Sequence, residues 1–299
     1  MAGQYTAIIA ADYNQIQSNI GIVLGSGSGD TGYGQTVNSS QVAPKNPVSA
    51  QQWQNLRTDI LNALWHQTGV DNSGALTVPT HSTTITESDR AAYLLQSNNA
   101  LANRLVDAPT LQASRSSFSF GNVVRSAAWN GTIQHTVTIN WPSHDAARFF
   151  FNTGSRIELS ATQTGTFSGA SNNKDITWQS MFAGMGTVYL KAHSTTCTGT
   201  GNTSSIGFYE LNNVYSIIFV KPAPAGVYSA NDYVVQAKYD GTGNLTLNIQ
   251  FQDNATGNPP PYGFDINVDG ITTSIVQAYY ASGSYVSVPL PPASSTALG

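Results

Sequence analysis

Apolar residues recur at helical spacing from the start of the chain. Ile9, Tyr13, Ile16, Ile20 and Val23 step by four and three residues, which predicts one helix from about Thr6 to Leu24 with a single apolar stripe. The stripe is shorter than the roughly three or four heptads that sustain a coiled coil. It therefore packs on its own body or on a neighbouring copy, and these five residues are the candidate interface. A second helix starts at Ser49, where Gln52 is placed for a capping box. Trp53, Leu56, Ile60 and Leu64 form its apolar face and Gly69 is its stop. A third starts at Thr86 with Asp89 three residues on, buries Tyr93, Leu94, Leu101 and Leu105, and ends before Pro109.

From Ser116 the period changes to two. Phe118 alternates with Phe120, and Ile133, His135, Val137, Ile139 and Trp141 continue the pattern. Further strands are predicted at Ile157–Ala161, Thr187–Lys191, Tyr215–Lys221, Tyr233–Tyr239 and Leu245–Phe251, with Asp240-Gly241-Thr242-Gly243 as a hairpin-like connection. Two short helices interrupt them. Ser143 caps one through Ala146, Ala147, Phe149 and Phe150 to Gly154; Asp175 caps another through Trp178, Met181 and Phe182 to Gly184. The expected class is α+β. A helical attachment region, 1–115, contains a glycine-rich linker at 25–34. A mainly antiparallel, sandwich-like β body follows at 116–288, and 289–299 form an extended tail that docks or stays mobile.

Composition narrows the classes of function. Charged residues make up only 9% of the 299, against a usual quarter, yet 14 Tyr, 11 Phe and 5 Trp argue for a folded chain. The 12 Lys and Arg are scattered singly, so direct nucleic-acid binding is not expected. Cys197 is the one cysteine, which excludes an intrachain disulfide. Met1 to Ala11 lack the basic start of a signal peptide, and the most apolar run, Val214 to Val220, is strand-sized. Synthesis in the cytoplasm, with neither export nor membrane insertion, is expected.

Few motifs suggest chemistry. Gly27-x-Gly29-x-x-Gly32 has the letters of a dinucleotide fingerprint but follows a helix instead of a strand, so a turned linker is expected. Asp265-x-Asn267-x-Asp269-Gly270 matches the first half of a calcium loop, making Asp265, Asn267 and Asp269 the candidate ligands. The twelfth position, however, is Val276 instead of glutamate. The same residues fit a strand with Phe264, Ile266 and Val268 inward. The histidines (His66, His81, His135, His144 and His193) lack metal-type spacing, and Ser143-His144-Asp145 reads as a helix start. Of the glutamates, Glu87 belongs to a helix start and Glu158 to a strand, where it is expected to face solvent; Glu210 completes the set. No cofactor site and no catalytic constellation is expected. Tyr279, Tyr280 and Tyr285 are candidates for a glycan-stacking surface, with ordinary strand and interface roles as the alternative.

Two blocks carry a family resemblance. The first comprises Tyr13-Asn14-x-Ile16-Gln17, Val23-Leu24-Gly25, Gly32-Tyr33-Gly34-Gln35 and Gln52-Trp53-x-x-Leu56-Arg57-x-Asp59. The second comprises Asn267-Val268-Asp269-Gly270 and Val286-x-Val288-Pro289. Together they resemble virion structural proteins of cyanophages and other T4-like contractile-tailed phages. The resemblance implies a multi-copy particle component of the tail, neck or baseplate, whose partners are other virion proteins and copies of itself. It carries no active-site residues. A receptor- or carbohydrate-binding module that recognises host surface glycans is the alternative.

Overall fold

The computed structural model describes residues 9–80, 84–106, 115–165, 173–255, 265–281, 283 and 285–299. The chain is mixed α+β, with helices at its N-terminal end and a β-sandwich-like body. It forms two units. The first comprises Met1–Ser116, Arg148–Ser155 and Tyr280–Pro289; the second comprises Ser117–Ala147, Arg156–Tyr279 and Leu290–Gly299. The helical unit thus takes Arg148–Ser155 and nearly all of Tyr280–Pro289 from the span 116–288 expected as the β body.

In the first unit, α1 (Ala10–Leu24), α2 (Ala50–Thr68) and α3 (Glu87–Ala102) share one core. Ser49 and Gln52 form the capping box of α2, and Gly69 ends it with a left-handed φ of 67°. Thr86 and Asp89 cap α3 in the same way. Trp53 lies between Tyr13 and Tyr93, edge-on to both at ring separations of 5.3 and 5.0 Å.

The glycine-rich segment is a folded loop. Gly27, Gly29, Gly32 and Gly34 all have positive φ. At Gly34 a β-carbon would collide with the Phe149 ring, so both its conformation and its neighbour require glycine. The carbonyls of this loop converge on two side chains from the second half of α4 (His144–Asn152). Arg148 donates to the oxygens of Ser26, Gly29 and Thr31 at 3.0, 2.7 and 3.0 Å. Asn152 Nδ2 reaches Thr31 and Gly32, both at 3.0 Å.

The second unit contains two antiparallel sheets. One orders β1 (Arg115–Arg125), β10 (Ile271–Ala281), β3 (Arg156–Thr164), β4 (Val188–Leu190) and β5 (Thr195–Cys197). The other orders β11 (Ala293–Ser295), β2 (Gly131–Asn140), β9 (Asn244–Asp253), β8 (Asp232–Tyr239), β7 (Ser216–Pro222) and β6 (Asn202–Thr203). Within the expected extended tail, residues 293–295 are therefore a strand, paired with Val137–Ile139 of β2. Helix α5 (Asn173–Met185) brings Trp178 and Phe182 onto an aromatic core with Trp129, Tyr233 and Phe251. It begins before Asp175, which is not its cap; the Asp175 carboxylate instead accepts from Asp269 N at 2.7 Å and Gln163 Nε2 at 3.3 Å.

Strand β10 breaks the expected pattern, because its inward positions include Thr272, Ser274 and Ala278 as well as Val276. Their hydroxyls are satisfied inside: Trp129 Nε1 donates to Thr272 Oγ1 at 3.1 Å, and Ser274 Oγ meets His135 Nδ1 at 2.9 Å.

Candidate functional site

The stripe proposed as an interface is internal. Tyr13, Ile16, Ile20 and Val23 are fully buried in the first unit's own core, and only Ile9 is exposed, at 57%. The physical reason is that α2 and α3 cover this face of α1, leaving only Ile9 of the stripe uncovered.

Residues behind the resemblance in this unit hold its frame. Asn14 pairs with both the N–H and the C=O of Val42, and Tyr13 OH donates to Gln52 O. Arg57 donates to the carbonyls of Ser73 and Leu76. The Asp59 carboxylate accepts from the backbone N–H of Asn38 and Ser39 and from the Asn38 amide. Tyr33 OH donates to Arg104 O, and Gln35 exchanges two hydrogen bonds with Ser287.

Structure also decides the motifs. The glycine loop turns its carbonyls toward Arg148 and Asn152, the reverse of a phosphate cradle, which presents N–H groups. Asp265, Asn267 and Asp269 face different partners: Asp265 Oδ2 accepts from Lys174 N, Asn267 Oδ1 accepts from Asn130, and Asp269 N donates to Asp175. No group of three or more His, Cys, Asp or Glu among the described residues could hold a metal. Nor is the segment the expected strand. Val268 makes an isolated bridge to Trp129, Ile266 is exposed, and Phe264 lies outside the described residues.

The charge beside that segment is Lys174. Its fully buried ammonium donates to Asp253 Oδ2 at 2.8 Å and to the carbonyls of Ala255 and Ile266 at 3.0 and 2.7 Å. Burial still raises the Asp253 carboxyl above its ordinary range despite that partner.

Histidines and glutamates have structural partners. His66 Nε2 meets Thr153 O, His144 Nδ1 meets Tyr239 OH, and His193 Nδ1 meets Glu210 Oε1 at 2.8 Å. His81 lies outside the described residues. Ser143 Oγ accepts from Ala146 N, as a helix start requires. Glu87 pairs with Arg90. Glu158 is buried instead of solvent-facing, because Arg156 and Gln277 both donate to it.

The three tyrosines do not form one surface. Tyr279 belongs to the second unit, whereas Tyr280 and Tyr285 belong to the first, where Tyr285 packs on Trp65 with ring centres 5.0 Å apart. Tyr279 instead joins a group that the sequence does not single out. The Arg156 guanidinium lies between the rings of Tyr279 and Tyr189, 4.5 Å from each centre. Register explains the group, since Tyr279 is opposite Arg156 and Tyr189 is opposite Glu158 on neighbouring strands.

A broader feature is the outer face of the six-stranded sheet. The inward residues of β2, β9 and β8 are apolar apart from His135 and Asp253, so the intervening ones face outward. Cross-strand register sets Thr132, Gln252 and Asp232 in one row, and Gln134, Gln250 and Val234 in the next. Thr136, Asn248 and Gln236 follow, then Thr138, Thr246 and Lys238. Strand β7 extends these rows with Pro222 beside Asp232, Val220 beside Val234 and Ile217 beside Gln236. The result is a wide surface of amides and hydroxyls whose charged members are Asp232 and Lys238. The outward residues were legible as the complement of the apolar alternation, but the strand order that joins them was not. The chain matches no protein-family model, no curated protein and no solved structure.

Proposed function

We propose that this chain is a non-catalytic, multi-copy component of a tailed-bacteriophage particle, in the tail, neck or baseplate, acting through protein–protein assembly. The observation that carries this reading is the outer face of the six-stranded sheet, where amide and hydroxyl side chains replace the mixed charge that keeps monomers apart. The frame-building roles of the residues that resemble virion proteins support it as well. So does the charged fraction of 9%, which leaves little repulsion between copies. On this reading the protein is made in the host cytoplasm and resides in the virion. No helix among the described residues is long and apolar enough to cross a membrane.

Immunogold labelling of purified particles, with mass spectrometry of the same fractions, tests the proposal. Label at a fixed position on the tail, neck or baseplate is expected. Abundance in the lysate with none in washed particles would refute it.

A second reading, a receptor- or carbohydrate-binding module, draws on the Tyr189–Arg156–Tyr279 group. Tyr rings beside Arg156 and Gln277 supply stacking and polar contacts on one sheet face. Glycan-array binding that is lost in both Tyr189→Ala and Tyr279→Ala would favour it, whereas wild-type protein that binds no host glycan removes it.

A further inference from the structure

Resting on the assembly reading, we propose that two copies of this chain pair face to face through the outer surface of the six-stranded sheet. They are related by a two-fold axis that crosses β8 at Val235 and sets each Asp232 against the Lys238 of the other copy.

Size makes the face sufficient. Strands β11, β2, β9, β8 and β7 span roughly 24 Å at their usual spacing, and the seven to ten residues of the longer ones extend roughly 24–34 Å. That gives on the order of 700 Å², close to the roughly 800 Å² that each partner contributes to a stable interface.

Charge chooses the occupant. The two ionised side chains lie on the same strand, Asp232 at its start and Lys238 near its end, about 20 Å apart by strand rise. A two-fold axis lying between the sheets and running across the strands reverses β8 onto itself. Each carboxylate then lies over an ammonium, and no like charges meet. A nucleic acid would find one lysine on this face, and a stacked sugar would find no ring in the rows of β2, β9 and β8 and, beside them, only a Tyr215 ring held against the Lys238 ammonium, 4.8 Å from its centre.

The same operation matches the inner rows. The row Gln134–Gln250–Val234–Val220 lies over Thr136–Asn248–Gln236–Ile217 of the other copy. Ile217, 53% exposed in the single chain, then covers Val220. Isologous pairing of this kind is the commonest form of homo-oligomer.

Sedimentation equilibrium of the full chain tests the pairing. Wild type is expected to be dimeric. Asp232→Lys and Lys238→Asp should each weaken the dimer at least tenfold, and the double variant, with the pair exchanged, should recover it. Asn248→Lys, which brings like charges together beside the axis, should give monomer. Far-ultraviolet circular dichroism confirms that each variant is folded. Wild type that stays monomeric up to about 100 µM, or a double variant no tighter than the singles, overturns the proposal. A wild-type dimer indifferent to all four variants assigns self-association to another surface, and leaves the particle reading to its own labelling experiment.

Discussion

His135 and Asp175 give the β body two buried titrations of opposite sign. Burial lowers the His135 imidazole from 6.5 to about 4. Burial first, then the charges of Asp269 and Asp265, raises the Asp175 carboxyl from 3.8 to about 6, against hydrogen bonds from Asp269 N and Gln163. Stability follows the difference in protons held by the unfolded and folded chains. Between pH 4 and 6.5, His135 is protonated only when unfolded, so its contribution is lost as pH falls. Between pH 3.8 and 6, Asp175 is protonated only when folded, so its contribution grows as pH falls. Each slope is about 1.4 kcal/mol per pH unit. The windows overlap from about 4 to about 6, where the two slopes offset each other and the pair leaves stability nearly flat.

Removing either group exposes the other. Asp175→Asn should lose up to about 3 kcal/mol between pH 6.5 and 4 relative to wild type, and His135→Gln should gain a similar amount toward pH 4. Urea unfolding at half-unit pH steps, followed by far-ultraviolet circular dichroism and tryptophan fluorescence, reads both slopes. A pH profile of Asp175→Asn that runs parallel to that of wild type would refute the reasoning.

Three further outcomes follow from buried partners. Arg148→Ala should cost about 3–5 kcal/mol, because three carbonyl oxygens of the glycine loop lose a charged donor. Hydrogen exchange should accelerate across residues 25–34, and unchanged protection there would count against the loop's dependence on Arg148. Ile16→Asp should unfold the helical unit instead of freeing an interface, at a cost above about 4 kcal/mol. Thermal unfolding checks this, and a native melting temperature would contradict the burial. Lys174→Met should cost about 3–5 kcal/mol by leaving Asp253 buried and unpaired, and adding Asp253→Asn should recover part of it. Equal urea midpoints for the single and double variants would show that the ion pair is not what stabilises this corner.

The sequence determined those elements whose local chemistry and burial agree. Ser49, Gln52 and Gly69 bound α2 because caps act within a single turn. Strands β2, β8 and β9 were legible because each inward position is apolar, apart from His135 and the terminal Asp253. Strand β10 was not, because Thr272 and Ser274 are buried through hydrogen bonds to Trp129 and His135, more than 130 residues away. The glycine loop likewise read as a linker, since Arg148 lies more than 110 residues beyond the carbonyls it holds. The α1 stripe was legible as apolar, but only the packing of α2 and α3 decided that it faces inward. The neutral outer face had its residues written as the polar half of each alternation, while the strand order β11-β2-β9-β8-β7-β6 made them one surface. Periodicity is set by bonds between near neighbours, and the identity of a distant partner is set only when the chain closes on itself.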